Sequence, residues 1–301
     1  MQRREFLQRV TLALAAAWAG RRWVWPGAAG AGAPPPILAL LADAHLPDGH
    51  AGSPEARALA RAVAEIRALS PAPDLVLFAG DLAHDGDGQA LALGKDILGD
   101  LPGTLILVQG EGDVSPDSPG DWQQLFGEAG FLHTYRGLNL LGLHTAWLPA
   151  PTGPVFQVGK AQARWLAQEL PRLEAETPLI ILSHAPLDQI FHPWQHWTAD
   201  ASRLLPLLTR FSNVLCLHGH VHQAGAININ NRLTLNSENR KPKTENLLTH
   251  QSLPSTSWPL PLPLQGTPAS LCPGLGPQGC GWGLVAISAD SLEYRPHIWQ
   301  V

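Results

Sequence analysis

Five short stretches of the chain place a carboxylate or an imidazole where an apolar run has just ended. They are Asp43-Ala44-His45, Gly80-Asp81, Gly110-Glu111-Gly112-Asp113, Ser183-His184-Ala185-Pro186 and Gly219-His220-Val221-His222. Imidazole nitrogen and carboxylate oxygen together suit Mn, Fe or Zn better than Mg or Ca alone. In an open α/β sheet such strand ends gather along one edge, so loops of this kind can converge on one crevice. The glycines beside them allow backbone to approach backbone closely. Any one stretch reads as well as a solvated turn; five in this order do not.

The ordered set resembles the calcineurin-like phosphoesterases, whose loops read Asp-x-His, Gly-Asp-x-x, Gly-Asn-His-Asp, a lone His and Gly-His-x-His. The resemblance covers about residues 37–235. It implies a four-layer metallophosphoesterase sandwich, an α/β fold of two mixed β-sheets flanked by helices. It also implies two divalent or trivalent transition-metal ions, Mn, Fe or Zn. One ion would take Asp43, His45 and His222, the other His184 and His220, with Asp81 bridging both. Asp81 and His220 are the expected catalytic residues, in a reaction where a metal-bridging hydroxide hydrolyses a phosphomonoester or phosphodiester. A small phosphate ester is the expected partner.

The third loop departs from the family pattern twice. Glu111 stands where the family places a neutral Asn on the second metal; it can still coordinate, but it adds a negative charge. Gly112 stands where the family places an imidazole near the leaving group, and general acid catalysis is typically worth about 10² to 10⁴ in rate. Asp113 is kept without the ring it would orient. His84, three residues past Asp81, is a candidate either to support the ligands from behind or to supply that acid. Two functions therefore compete: a working phosphoesterase, or an exported metal-binding protein of the same fold with little or no turnover.

Other reactive residue types read more plainly. His192, Trp194, His196 and Trp197 either wall a pocket or pack as a loop of amphipathic aromatics. His133, His144, His250 and His297 read as structural or exposed, and His218 as a buried donor within a strand. Cys216 sits in an apolar strand as a small hydrophobe, while Cys272 and Cys280 flank a Pro/Gly-rich stretch where an exported chain can form a disulfide.

The elements that must carry these loops alternate short apolar runs with amphipathic segments, the pattern of α/β layers. Strands are expected at 37–42, 74–79, 105–108, 138–143, 178–182 and 213–217. Helices are expected at 89–98, at 162–173 and after Ser53-Pro54, where Leu59, Val63 and Ile66 repeat at helical spacing. Residues 224–229 and 232–235 suggest a hairpin through Asn230-Asn231, and 282–287 and 292–299 closing strands. Seven prolines make residues 254–277 an expected irregular segment.

The 301 residues are 45% hydrophobic and 15% charged, enough for one large core over 34–301. Residues 1–33 read as a signal and linker: Arg3-Arg4, then Phe6-Leu7, then the apolar run 10–19, too short to span a bilayer as a mature helix. This resembles the twin-arginine signal, whose export machinery delivers folded proteins, so a periplasmic or otherwise extracytoplasmic location is expected. Loss of residues 1–31 removes five Arg and one Glu, taking the formal charge from -5 to -9. A field of that sign disfavours nucleic acid as a partner.

Overall fold

Alternation of apolar side chains along each strand decides the layering. A computed structural model of the chain describes residues 36–118, 120–151, 153–187, 197–211, 214–222, 225–228, 256–257, 264–267, 280–287 and 291–299. In β1 (Ile37–Leu41), Leu38 and Leu40 turn to one face and Ala39 and Leu41 to the other, and all four are fully buried. Both faces of this strand are therefore covered.

Helix α1 (Pro54–Arg67) follows, capped by Ser53, whose hydroxyl accepts from the Ala56 N–H, with Pro54 preset for the first turn. Then come β2 (Leu75–Phe78), α2 (Gly88–Leu98), capped in the same way by Asp87, and β3 (Thr104–Leu107). A short helix α3 (Asp121–Phe126) leads to β4 (Phe131–Tyr135) and β5 (Leu138–Leu143). The small hairpin β6 (Ala146–Leu148) and β7 (Val155–Gln157) precedes α4 (Gly159–Glu169) and β8 (Leu179–Ser183). The chain continues through α5 (Leu205–Leu208), β9 (Val214–His218) and β10 (Gly225–Asn228). It closes with β11 (Thr256–Ser257), β12 (Leu264–Thr267), β13 (Cys280–Ile287) and β14 (Ser291–Trp299).

The strands form two mixed six-stranded sheets, ordered β11-β14-β13-β1-β2-β3 and β10-β12-β9-β8-β5-β4. Within them β1, β2 and β3 run parallel, as do β5, β8, β9 and β12. Leu38, Leu40, Leu77, Leu140, Ile180, Leu182, Leu215 and Leu217 fill the space between the sheets. The opposite faces pack on α1 and α2 in one case and on α4 in the other. The four layers match the expected sandwich.

Several details differ from the expectation. The proline-rich segment is not wholly irregular: β12 occupies the proline-free window between Pro263 and Pro268, where Leu264 to Gly266 pair in parallel with β9, and β11 adds a second short strand. The antiparallel neighbour of β10 is β12, not residues 232–235, which lie outside the described residues. Strand β4 went unseen because its turn to β5 is Arg136-Gly137, with φ of 43° and 77°; Arg is seldom left-handed, so no hairpin signal stood there. Residues 1–33, His192, Trp194, His196, His250 and Cys272 also lie outside the described residues. Cys280 is buried and carries no disulfide. Among the described residues, no helix is long and apolar enough to cross a membrane.

Candidate metal centre

The loops that follow β1, β2, β3, β8 and β9 meet at one edge, and hydrogen bonds across them fix the spacing. The Asp43 and His45 amides donate to the carbonyls of Gly80 and Asp81 at 2.9 and 3.0 Å. The Gly219 amide donates to the His184 carbonyl at 3.1 Å, and the His220 amide to Asp43 Oδ1 at 2.8 Å. Glycine is required where these loops cross. A Cβ on Gly219 would lie 2.8 Å from Ala42 Cβ, the Ala79 carbonyl and Asp43 Oδ2; one on Gly110 would lie 2.1 Å from Asp81 Oδ1.

Asp43, His45, Asp81, His220 and His222 all have left-handed backbones, with φ of 57°, 48°, 56°, 67° and 51°. Such conformations are uncommon outside glycine and cluster at functional sites, where surrounding structure holds them. Five solvated turns would not share them.

The side chains form two groups of donor atoms, each lying within 4.8 Å of one another: Asp43, His45 and His222, and Asp81, Glu111, His184 and His220. His45 and His222 face each other with Nε2 atoms 3.0 Å apart. Glu111 reaches both imidazoles of the second group, Oε2 lying 2.7 Å from His184 Nε2 and Oε1 2.9 Å from His220 Nδ1. Asp81 stands between the groups. Its Oδ2 is 3.6 Å from His45 Nε2 and 3.4 Å from His184 Nε2, while Oδ1 accepts from the Gly112 N–H at 2.7 Å. All seven residues proposed as ligands are thus brought together.

Unsatisfied atoms test whether cations fit. Asp43 Oδ2, Glu111 Oε2 and His184 Nε2 are buried without a hydrogen-bond partner, although the last two lie 2.7 Å apart. Buried polar atoms are normally paired, and each of the two donor groups leaves at least one atom that a cation would satisfy. His184 Nδ1 lies 2.8 Å from the Ala79 carbonyl; donation there leaves Nε2 its lone pair for a metal.

Electrostatics agree. Burial alone would raise the Asp43 carboxyl, but His222, with His184 and His45, holds it at about 2. Burial would likewise raise Glu111, and His184 and His220 hold it well below the usual carboxylate range. Burial would lower His184, yet Asp81 and Glu111 lift it well above its ordinary value.

Asp113 acts on the backbone of the ligand loops. Its Oδ2 accepts from the amides of Asp81 and Gly110, and its Oδ1 from that of Ala83, all at 2.9 Å. It fastens the second loop to the third, and needs no imidazole to do so. Burial and the Asp81 charge push its carboxyl up to about 7, against the pull of these amides. Gly112 has no room for a side chain: a Cβ would lie 2.7 Å from the Ala83 carbonyl and 3.1 Å from Asp81 Oδ1. His84 sits exposed at the rim, its ring centroid 6.2 Å from that of His45. His218 ends β9 buried, its Nδ1 2.9 Å from the Gly219 carbonyl, and burial lowers its pKa to about 4.

Sequence reading missed Phe156. It is buried on β7, its ring 4.7 Å from that of His220 and 6.1 Å from that of His184. The available signal was a pair of short apolar runs, Trp147-Leu148 and Val155-Phe156, around the turn-forming Pro149, Pro151, Gly153 and Pro154.

With this geometry in hand, comparison with known proteins is decisive: the model of the calcineurin-like phosphoesterase family matches residues 38–224, more than half of the chain. The chain belongs to the calcineurin-like phosphoesterases. One relative is a probable glycerophosphodiester phosphodiesterase from Arcobacter nitrofigilis, 25% identical over 175 residues, which are 56% of this chain and 63% of the relative. The chain thus spans less than two thirds of that relative. Among solved structures of the fold is a dimetal phosphatase from Danio rerio, with TM-score 0.60 and 13% identity, covering 89% of this chain and 98% of that one. A purple acid phosphatase from yellow lupin, Lupinus luteus, follows with TM-score 0.55 and 14% identity, over 88% of this chain and 52% of that one. Both are similar in fold.

Proposed function

We propose that this member of the family is a metal-dependent phosphoesterase, with Asp43, His45 and His222 holding one ion, Glu111, His184 and His220 the other, and Asp81 bridging. The observation that carries this reading is Asp81 Oδ2 standing between His45 and His184 while Oδ1 is occupied by the Gly112 amide. Two bound transition-metal ions would supply Lewis acidity toward the phosphoryl oxygens and a nucleophilic water at neutral pH. The chain does the rest. His184, oriented by the Ala79 carbonyl, presents Nε2; Asp113 holds the Asp81 and Gly110 backbones; Phe156 packs against the rings of His184 and His220 and keeps water from that side.

Charge favours a diester. Three carboxylates, Asp43, Asp81 and Glu111, face the ions, one more than with a neutral residue at position 111, so a monoanion is opposed less than a dianion. The Arcobacter relative, named for a diester, supports the same choice. We read Gly112 as the position of the family's imidazole. Without it a leaving group must depart unprotonated or take its proton elsewhere, and the exposed imidazole of His84 stands at the rim. Gly112 is also the one feature that favours the second reading, a metal-binding protein with little turnover. Arg3-Arg4 and the apolar run after them support export by the twin-arginine route in a folded, metal-loaded state.

The test is hydrolysis of 4-nitrophenyl diesters by protein loaded with Mn, Fe or Zn. The reading expects turnover that is lost in Asp81→Ala and His220→Ala. Metal-loaded wild type that hydrolyses no ester would leave the binding-protein reading in its place.

A further inference from the structure

Among the described residues, three large apolar side chains are exposed: Val114 at 40%, Trp147 at 38% and Leu148 at 42%. All three lie on segments that border the metal centre. Val114 directly follows Asp113, and Trp147 and Leu148 belong to β6, whose partner β7 carries Phe156. Scattered exposed apolar residues are ordinary on a soluble protein, but one beside a polar crevice can serve as the apolar wall of a ligand site.

The hairpin extends the centre outward as a run of rings. The Phe156 ring stands at 73° to that of His220 with centroids 4.7 Å apart, and Trp147, its cross-strand partner, packs on it at 4.6 Å and 53°. The run is held rigidly. The Ala199 amide donates to the Phe156 carbonyl and the Thr198 amide to the Pro186 carbonyl, each at 2.8 Å, tying β7 to the segment after His184. The Asp200 carboxylate accepts from the Val158 and Gly159 amides at 2.8 and 3.0 Å, fixing the start of α4. Phe156 is sealed in the core, whereas Trp147 keeps more than a third of its surface open.

We infer that Trp147 is a specificity-determining residue whose indole receives an aromatic arm of the phosphoester held at the metal centre. The inference rests on the phosphoesterase reading and names the substrate class within it: a diester whose non-leaving substituent is flat and apolar. Trp147 lies two ring contacts, 4.6 and 4.7 Å, from His220, a span closer to the length of an aryl arm than to that of a methyl group. An indole offers such an arm a large face at little cost in side-chain entropy.

Two measurements test it. Phenyl 4-nitrophenyl phosphate and methyl 4-nitrophenyl phosphate share a leaving group and differ in the arm. Wild type should prefer the phenyl ester in kcat/KM, and Trp147→Ala should lower the phenyl-to-methyl ratio about tenfold, chiefly through KM, with Trp147→Phe restoring most of it. An unchanged ratio in Trp147→Ala, or an equal fall for both esters, overturns the inference. Calorimetric binding of phenylphosphonate and methylphosphonate to the metal-loaded protein needs no turnover. Preference for the phenyl compound that is lost in Trp147→Ala supports the aromatic wall even where hydrolysis fails. No preference in wild type overturns it even where hydrolysis is robust.

Discussion

Gly112→His would put an imidazole where the family has one, yet the structure predicts damage. The new Cβ would lie 2.7 Å from the Ala83 carbonyl and 3.1 Å from Asp81 Oδ1, both closer than ordinary contact. Neither neighbour can give way cheaply. The Ala83 amide is held by Asp113 Oδ1, Ala83 is bridged to Leu46, and Asp81 Oδ1 accepts from the Gly112 amide itself. The loop must therefore shift, lengthening a charge-assisted hydrogen bond that keeps Asp81 Oδ2 aimed at His45 and His184. Overpacking of this kind typically costs about 1 to 3 kcal/mol. A loss of about 2 kcal/mol lowers Tm by roughly 4 to 8 °C in a domain of this size. Calorimetry of the metal-free protein reads the stability, and dialysis against Mn or Zn reads the binding. Gly112→Ala should show most of the same penalty, because the clash is at Cβ. A Gly112→His variant with unchanged Tm, full metal content and faster hydrolysis of alkyl esters would show instead that the loop is open and Gly112 merely a vacant place for a ring.

Three further outcomes are expected. Glu111→Gln should raise the ratio of monoester to diester kcat/KM by about tenfold, since removing one charge near the phosphoryl group favours the dianion; a ratio that stays put would remove charge as the basis for the diester preference. His133 is stacked on Phe131 and burial lowers its pKa, so the unfolded chain takes up the proton first as pH falls. Its contribution is complete above the ordinary value of 6.5 and declines below it, and urea unfolding at pH 7 and pH 5 should show a smaller loss in His133→Leu than in wild type; equal losses would count against it. Replacing Arg3 and Arg4 together by Lys should leave precursor in the cytoplasm, and unchanged delivery measured by fractionation would remove the twin-arginine assignment.

Much of the site was legible because metal ligands must be reactive residue types at strand ends. Asp43, His45, Asp81, His184, His220 and His222 are such residues, following the runs that became β1, β2, β8 and β9. Glu111 was legible as an acid, but not its span between His184 and His220, which depends on how closely two sheets approach. The work of Asp113 was hidden for a related reason: backbone amides carry no sequence identity, so three of them converging on one carboxylate leave no trace in the chain. Phe156 and Trp147 escaped because two three-residue strands are too short to show a period. Strand β12 escaped because local proline content was read without the pairing that β9 offers a proline-free window.

If Asp81 joins two metal sites, the number of ions held after loading and dialysis reports it. Wild type should hold two ions per chain, His45→Ala and His184→Ala one each, and Asp81→Ala fewer than either. A single ion in fully loaded wild type, or two retained by Asp81→Ala, would contradict it.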